Sequence, residues 1–268
     1  MEDLQQYLDA QLGLWSTSFS HSDFEKIPDR SAESALRYIF EKEANALGKT
    51  ALFIKETKVH QFFAFLPVAF PEAKYVFMVR DPRDMALSWK KSANHPGGIR
   101  EGVDQWINDQ SQYRQIAGYL MESGKVFSLR YEDLLTDSEA QLKEICNLLE
   151  LDFTHEMLAF HTREETRKNA ARIENWNNLD KPVLNSNFNK FLNEMSNEEL
   201  RYIESRCGDL MTYFGYEKHT EGMLAVEIEE CEQRWRAEMP ELRNKQGEAE
   251  IRQKRMAAIQ QILSRNLK

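Results

Sequence analysis

The stretch Lys74–Lys91, KYVFMVRDPRDMALSWKK, contains the features that decide the fold. Its first part, Tyr75–Arg80, is a continuous apolar run that ends in a cation, which is typical of a strand buried on both faces. Its second part begins with Asp81, a carboxylate suited to cap a helix, and Pro82, which suits the first helical position. The stretch therefore predicts a strand followed at once by a helix.

Two further runs have the same composition of aliphatic, aromatic and β-branched residues. They are Ala51–Lys55 (ALFIK) and Lys125–Tyr131 (KVFSLRY), and we predict both as buried strands. The helices are predicted roughly over Val59–Phe70, Pro82–Ser92, Gly102–Met121 and Ser138–Leu149. Apolar strands separated by helices favour an α/β fold, in which a parallel sheet is flanked by helices.

Two later helices are marked by their start signals. Thr136–Glu139 (TDSE) and Ser196–Glu199 (SNEE) both fit the capping box, in which a hydroxyl and a carboxylate satisfy free backbone amides reciprocally. Apolar residues then recur at helical spacing, which predicts core stripes. The three cysteines, Cys146, Cys207 and Cys231, fall at apolar helical positions and form no CxxC pair. We expect reduced core thiols, and neither a disulfide framework nor a metal site.

Composition excludes several classes of protein. The 268 residues include 35 Lys+Arg and 44 Asp+Glu, a net charge of −9, which disfavours a sequence-independent nucleic-acid binder.

The longest apolar run, Phe62–Phe70, is too short to span a bilayer and contains Pro67. The N-terminus lacks the cationic start and apolar core of a signal peptide. We therefore expect a cytoplasmic protein without a membrane span.

The composition shifts after Gly215–Tyr216. Apolar residues at helical spacing mark one amphipathic helix before Pro240 and another after it. We predict an α/β domain over residues 1–216 and a helical C-terminal extension over 217–268. The extension is expected either to dock on the domain or to pair with a second copy or another partner.

The carboxyl ends of the predicted strands are charged, and ligands of open parallel sheets bind beyond those ends. The end residues are Lys55-Glu56, Arg80-Asp81 and Arg130-Tyr131. The window Lys74–Arg100 carries six Lys/Arg against two Asp, a local charge of +4. Such a patch suits a small polyanion such as a nucleotide phosphate. The alternative is a solvated helix face with local ion pairs.

At this point the chain resembles a known family. Lys74–Lys91 is similar to the 3′-phosphate-binding segment of sulfotransferases, which transfer a sulfuryl group from 3′-phosphoadenosine 5′-phosphosulfate (PAPS). The resemblance implies that Arg80 and Ser88, eight residues later, hold the 3′-phosphate of the donor. Val126–Phe153 is similar to the strand and helix that follow in the family, and implies that Tyr131 lies against the adenine.

Two weaker similarities support this assignment. Phe53–Tyr75 resembles the segment in which a strand ends in a lysine near the acceptor, and Lys181–Tyr216 resembles the C-terminal loop and helix of bacterial members. The family fold implied is a parallel sheet of the P-loop nucleotide-kinase kind.

The resemblance implies one catalytic residue, and the chemistry of the reaction suggests a second. Lys55 matches the strand-end lysine and would neutralise charge on the migrating sulfuryl group. Glu56 is a candidate general base, with His60 as its rival, because a base must take the proton of the acceptor. The implied acceptor is a hydroxyl or amine of a small molecule or glycan, and no metal is implied. The loops Ser92–Arg100 and Thr154–Asn187, with Trp176 and Phe188 as aromatic surfaces, are candidates to form the acceptor pocket.

One family feature is missing from the sequence. Members commonly carry a loop of the type R/K-S-G-T-T that holds the 5′-phosphosulfate, and no such loop is found. Leu47–Thr50 (LGKT) resembles the end of a phosphate loop, but Glu43 stands where a glycine is required, so we predict a helix C-cap and turn. Three explanations stay open: the loop lies upstream of Met1, which we favour; a partner supplies it; or the protein is a non-catalytic nucleotide-binding or scaffold protein.

Overall fold

The computed structural model describes residues 2–10, 16–27, 29, 31–92, 95, 97–164, 166–167, 170, 178–237 and 246–266. The chain forms two compact units. One consists of Met1–Ala73 together with Arg243–Lys268, and the other consists of Lys74–Leu242. The division predicted after Tyr216 stays a prediction.

A parallel pair of strands forms the centre of the second unit. Strand β1 (Tyr75–Val79) pairs with β2 (Val126–Arg130), with Tyr75 opposite Val126 and Val79 opposite Arg130. The intervening chain is helical, as a parallel connection requires. The predicted α/β class and these two strands are confirmed.

The strand predicted at Ala51–Lys55 is wrong. Ala51–Lys55 has no strand pairing, and each of its five residues is exposed. An apolar run forms a strand only where it pairs with a neighbouring strand and where other elements bury its side chains. Among the described residues the sheet therefore has two strands, and not three.

The helices of the second unit lie between the two strands and after the second strand in chain order. They are α5 (Pro82–Lys91), α6 (Gly98–Glu122), α7 (Tyr131–Thr136), α8 (Ser138–Leu149), α9 (Phe191–Glu194), α10 (Asn197–Tyr213) and α11 (Ala225–Ala237). Short 3₁₀ turns lie at His155–Met157 and Phe160–Thr162. The helices predicted at Pro82 and Ser138 are confirmed. Helix α6 begins four residues before the predicted Gly102, after Gly97, whose φ of 86° few other residues adopt.

Helices also dominate the first unit. They are α1 (Glu2–Asp9), α2 (His21–Phe24), α3 (Ala32–Ala46), α4 (Leu66–Ala69) and α12 (Gln246–Asn266). The single helix predicted over Val59–Phe70 is wrong, because this segment forms a 3₁₀ turn at Val59–Phe62 and the short α4. The C-cap predicted at the end of α3 is confirmed: Gly48 has a φ of 62°, and the Lys49 N–H donates to the Ala44 carbonyl.

The predicted helix starts have three outcomes. The Asp81 carboxylate accepts from the Arg83 N–H at 2.8 Å, which confirms the cap of α5. The capping box at Ser196 is confirmed as well. The box at Thr136 is wrong: Thr136 ends α7, and Asp137 caps α8 by accepting from the Ala140 N–H.

The core of the second unit lies between the sheet and helices α5, α6, α10 and α11. Its buried members are Val79, Ala86, Ile99, Val103, Trp106, Tyr202, Ile203, Cys207, Leu210, Met211, Tyr216 and Cys231. Helix α11 packs on α10, with the rings of Trp235 and Tyr202 in edge contact at 4.8 Å.

All three cysteines are buried and free, as predicted. No described helix is long and apolar enough to cross a lipid bilayer.

Candidate functional site

The site begins where β1 ends. Strand β1 stops at Val79, and the Asp81-Pro82 turn starts α5, so that Arg80 stands at the carboxyl edge of the sheet. Tyr131 stands at the same edge, because it follows the last residue of β2 directly. The Arg80 guanidinium carbon lies over the Tyr131 ring, 4.8 Å from its centroid. The structure thus brings together two of the three residues predicted to bind the nucleotide.

The hydrogen-bonding capacity of Arg80 is only partly used. One terminal nitrogen donates to the main-chain carbonyl of Asn187 at 3.3 Å. The Nε of Arg80 is buried and has no hydrogen-bond partner. A half-buried guanidinium with free donors has the planar fork that matches a phosphate.

The neighbouring cations are all neutralised. Of the six Lys/Arg in the window Lys74–Arg100, five form ion pairs with carboxylates; the pairs are Lys74–Glu150, Arg83–Asp81, Lys90–Glu199, Lys91–Glu194 and Arg100–Asp104. Arg80 is the exception, with no carboxylate oxygen within ion-pair distance among the described residues. The alternative of a solvated face with ion pairs therefore describes five of these six residues, and Arg80 is left available for an anion.

Ser88 lies in the second turn of α5 and is exposed. It is four residues after Asp84 and therefore lies on the same face of the helix. Its hydroxyl makes no hydrogen bond to any residue that the structure describes, Arg80 included. Its role as a phosphate ligand stays a prediction.

Asp84 anchors a segment that lies against Arg80. The buried carboxylate of Asp84 accepts from the Asn189 N–H at 2.6 Å and from the Phe191 N–H at 3.1 Å. We call residues Asn187–Phe191 the strap. Burial raises the pKa of Asp84 above its ordinary value, against the opposing effect of these two amides and of the Arg80 charge.

The strap contacts both residues of the candidate site. While the Asn187 carbonyl accepts from Arg80, the Asn187 side-chain amide donates to the Tyr131 hydroxyl at 2.8 Å. The strap therefore bridges the guanidinium and the aromatic ring on which that guanidinium lies.

A buried ion network holds the turn that follows Arg80. Arg83 donates two hydrogen bonds to the Asp81 carboxylate, at 2.9 and 2.6 Å, and one to Glu204 at 2.6 Å. Burial by itself raises the pKa of Glu204, but hydrogen bonds from Thr220, His219 and Arg83 outweigh it, so that this pKa lies below its ordinary value. The network fixes the start of α5 against α10 with its charges satisfied.

Glu132 provides a second support for the same turn. One oxygen of its carboxylate accepts from the Asp81 N–H at 3.0 Å, and the other accepts from the Tyr216 hydroxyl at 2.9 Å. Burial and the Glu132 charge raise the pKa of Tyr216 above its ordinary value, so that its hydroxyl remains a donor.

The two predicted catalytic residues belong to the first compact unit. Lys55 and Glu56 are both exposed; Lys55 ends the segment that was wrongly predicted as a strand, and Glu56 follows it. The Glu56 carboxylate accepts from the Lys58 N–H at 2.9 Å. Their roles, and that of His60 as the rival base, stay predictions. Trp176, considered for the acceptor pocket, lies outside the described residues.

Sequence reasoning missed Glu132 and Asn187. A local signal existed for Glu132, since it follows Tyr131 directly in the first turn of α7. No local signal pointed to Asn187, which lies 107 positions from Arg80 along the chain. Within the described residues, no cluster of His, Cys, Asp and Glu is arranged to hold a metal ion.

Comparison with known proteins gives two findings. The sequence model of the Sulfotransferase family matches residues 2–155, a span that contains Lys55, Glu56, Arg80, Ser88 and Tyr131. Cytosolic sulfotransferase 15 of Arabidopsis thaliana is 32% identical over 161 residues, which cover 53% of this chain.

The match to the plant protein covers 42% of its length, so the chain spans less than half of that relative. The family model, in contrast, covers more than half of the present chain and includes both strands of the sheet. The chain therefore belongs to the sulfotransferase family.

Proposed function

We propose that this chain binds the 3′-phosphoadenosine end of PAPS at the edge formed by Arg80 and Tyr131, and that it acts in sulfuryl transfer. The observation that carries the proposal is the state of Arg80. It is the cation of the Lys74–Arg100 window that lacks a carboxylate partner among the described residues, and its buried Nε donates to nothing.

The surroundings of Arg80 suit the two parts of such a ligand. A phosphate would accept from the guanidinium, with the exposed Ser88 hydroxyl on α5 as a second donor. The Tyr131 ring offers an aromatic face on which a purine stacks. Because the strap carbonyl uses one donor of Arg80, a bound phosphate would compete with Asn187 for that nitrogen.

Sulfuryl transfer, like phosphoryl transfer, depends mainly on positioning and on stabilising charge on the transferred group. We propose Lys55 as the residue that neutralises this charge and Glu56 as the general base. The acceptor class proposed is a hydroxyl or amine of a small molecule.

Calorimetry with adenosine 3′,5′-bisphosphate tests the binding proposal. We expect the wild type to bind it more tightly than 5′-AMP, and more tightly than adenosine 2′,5′-bisphosphate, in which the phosphate is misplaced. Arg80→Gln should weaken 3′,5′-bisphosphate binding about ten- to hundredfold, the effect of losing charged hydrogen bonds. Arg100→Gln is the matched control, because it removes a cation of the same window that is already paired with Asp104. Equal affinities of the Arg80 and Arg100 variants would contradict the assignment.

Transfer itself is tested with PAPS labelled in the sulfuryl group and a panel of phenol, alcohol and amine acceptors. A labelled product that depends on Lys55 and Glu56 would support the catalytic roles. Binding of the bisphosphate without transfer to any acceptor would instead support a nucleotide-binding role without catalysis.

A further inference from the structure

The peptide group between Arg80 and Asp81 is held from both of its polar sides. Its carbonyl, that of Arg80, accepts from the indole N–H of Trp106 at 2.9 Å. Its N–H, that of Asp81, donates to the Glu132 carboxylate at 3.0 Å. Because a peptide unit is planar, two hydrogen bonds on opposite sides fix its orientation. That orientation sets the direction in which the chain leaves β1 at Arg80.

The two groups that hold this peptide differ in what they connect. Trp106 belongs to the core of the unit and is buried. Glu132 is covalently next to Tyr131, the residue whose ring lies under the Arg80 guanidinium. A single carboxylate therefore ties the main chain at Arg80 to the main chain at Tyr131.

The second carboxylate oxygen of Glu132 also accepts a hydrogen bond. It accepts from the Tyr216 hydroxyl at 2.9 Å, and Tyr216 is buried in the core cluster. A glutamate with both oxygens occupied by fixed donors has little rotational freedom, so that it transmits the position of the core to the edge of the sheet.

We propose that Glu132 is a positioning residue, which holds Arg80 and Tyr131 in the relative geometry that recognises the 3′-phosphate of the nucleotide. The proposal rests on the function proposed above. Glu132 acts through its reach and its two accepted hydrogen bonds, and its charge is not what recognition requires.

This distinction between reach and charge makes the proposal testable by conservative variants. Glu132→Gln keeps the length, because its carbonyl oxygen can accept from the Asp81 N–H while its amide donates to the Tyr216 hydroxyl oxygen. Glu132→Asp keeps the charge but is one methylene shorter, so that one carboxylate no longer spans both donors. Glu132→Ala removes both bonds. Glu139→Gln is the matched control, since Glu139 forms an exposed pair with Lys143 on α8.

The measured quantity is the preference for the 3′-phosphate: the Kd of 5′-AMP divided by that of adenosine 3′,5′-bisphosphate. We expect Glu132→Asp and Glu132→Ala to lower this ratio about fivefold, the worth of one hydrogen bond, with Glu132→Gln and Glu139→Gln within about twofold of wild type. In an Arg80→Gln background, Glu132→Asp should change the ratio no further, because it acts through Arg80. Circular dichroism checks that each variant is folded. If Glu132→Ala fails to fold, the comparison of Asp with Gln still decides the question.

The outcomes separate the two proposals. A wild-type ratio near one that Arg80→Gln leaves unchanged would overturn the proposed function, and this inference with it. A wild-type preference that is lost in Arg80→Gln but kept in Glu132→Asp would overturn the positioning role alone. So would an equal loss in Glu132→Gln and Glu132→Asp, or a loss that is as large in the Arg80→Gln background as in wild type.

Discussion

Arg80 and Asn187 are joined by a hydrogen bond from the guanidinium to the main-chain carbonyl, at 3.3 Å, across 107 positions of sequence. The same asparagine donates to the Tyr131 hydroxyl. The guanidinium therefore lies between an aromatic face and a carbonyl oxygen, and the carbonyl is the weaker acceptor when a phosphate is present.

The contribution of the Tyr131 ring can be separated from that of its hydroxyl. Tyr131→Phe loses the bond to Asn187 but keeps the aromatic face, and we expect bisphosphate affinity within about threefold of wild type. Tyr131→Ala loses the face that lies under Arg80 and on which the adenine is proposed to stack, and we expect about tenfold weaker binding. Calorimetry measures both, and equal losses in the two variants would show that the ring is not what matters.

Removing the cation of the buried network at the start of α5 should cause a large loss of stability. Arg83→Ala leaves the carboxylates of Asp81 and Glu204 buried without their cation, and we expect a loss of about 3–5 kcal/mol in the free energy of unfolding. Urea denaturation measures the loss. Lys143→Ala, which breaks an exposed pair with Glu139, should cost about 0.5 kcal/mol or less. A loss in Arg83→Ala as small as that of the control would contradict the role given to the network.

The contacts of Asp23 in the first compact unit predict that the free energy of unfolding depends on pH. Its carboxylate pairs with Lys42 at 2.7 Å and accepts from Ser20, and these contacts lower its pKa well below the ordinary value. The folded state therefore binds this proton less tightly than the unfolded state, whose pKa is about 3.9. The stabilisation is present above that pH and is lost as the pH falls toward the lower folded pKa.

Asp23→Asn should consequently lower the free energy of unfolding at pH 7 by about 1–3 kcal/mol. The difference from wild type should narrow as the pH falls below about 4. Unfolding curves at pH 7, 5 and 3.5 measure it. A difference that stays constant over this range would show that the ion pair is not its source.

Two glycines of helix α6 predict opposite changes in stability. A Cβ on Gly102 would lie 3.1 Å from the Cβ of Trp89 and 3.4 Å from the Cα of Ala86, so that Gly102→Val should destabilise the α5–α6 contact by about 1–3 kcal/mol. A Cβ on the exposed Gly118 would meet nothing within 4 Å, and Gly118→Ala should stabilise the helix by about 0.5–1 kcal/mol. Thermal unfolding compares the two, and changes of the same sign would contradict this account.

Features set by local chemistry could be predicted from the sequence. The Asp81 cap, the proline that follows it and the capping box at Ser196 each depend on residues within one turn of a helix. The position of Arg80 and Tyr131 at one edge also followed, because consecutive parallel strands place their carboxyl ends together.

Features set by distant partners could not be predicted. The apolar composition of Ala51–Lys55 favoured a strand, but only tertiary pairing decides whether such a run joins a sheet. The net charge of the Lys74–Arg100 window could be counted from the sequence, but not which of its cations are paired. Lys74 and Lys90, for example, are neutralised by Glu150 and Glu199, which lie far along the chain. The contact between Arg80 and Asn187 likewise depends on a fold that no local pattern encodes.

The isolation of Arg80 among neutralised neighbours has a kinetic consequence. Five neighbouring cations of the Lys74–Arg100 window are paired with carboxylates, so within the part of the chain that the structure describes they add little positive field around Arg80, and the whole chain carries a net charge of −9. Beyond a Debye length of about 8–10 Å the approach of a bisphosphate is screened, and in dilute buffer it is opposed. Added salt should therefore speed the encounter, whereas it slows the encounter in proteins that steer anions with a basic surface.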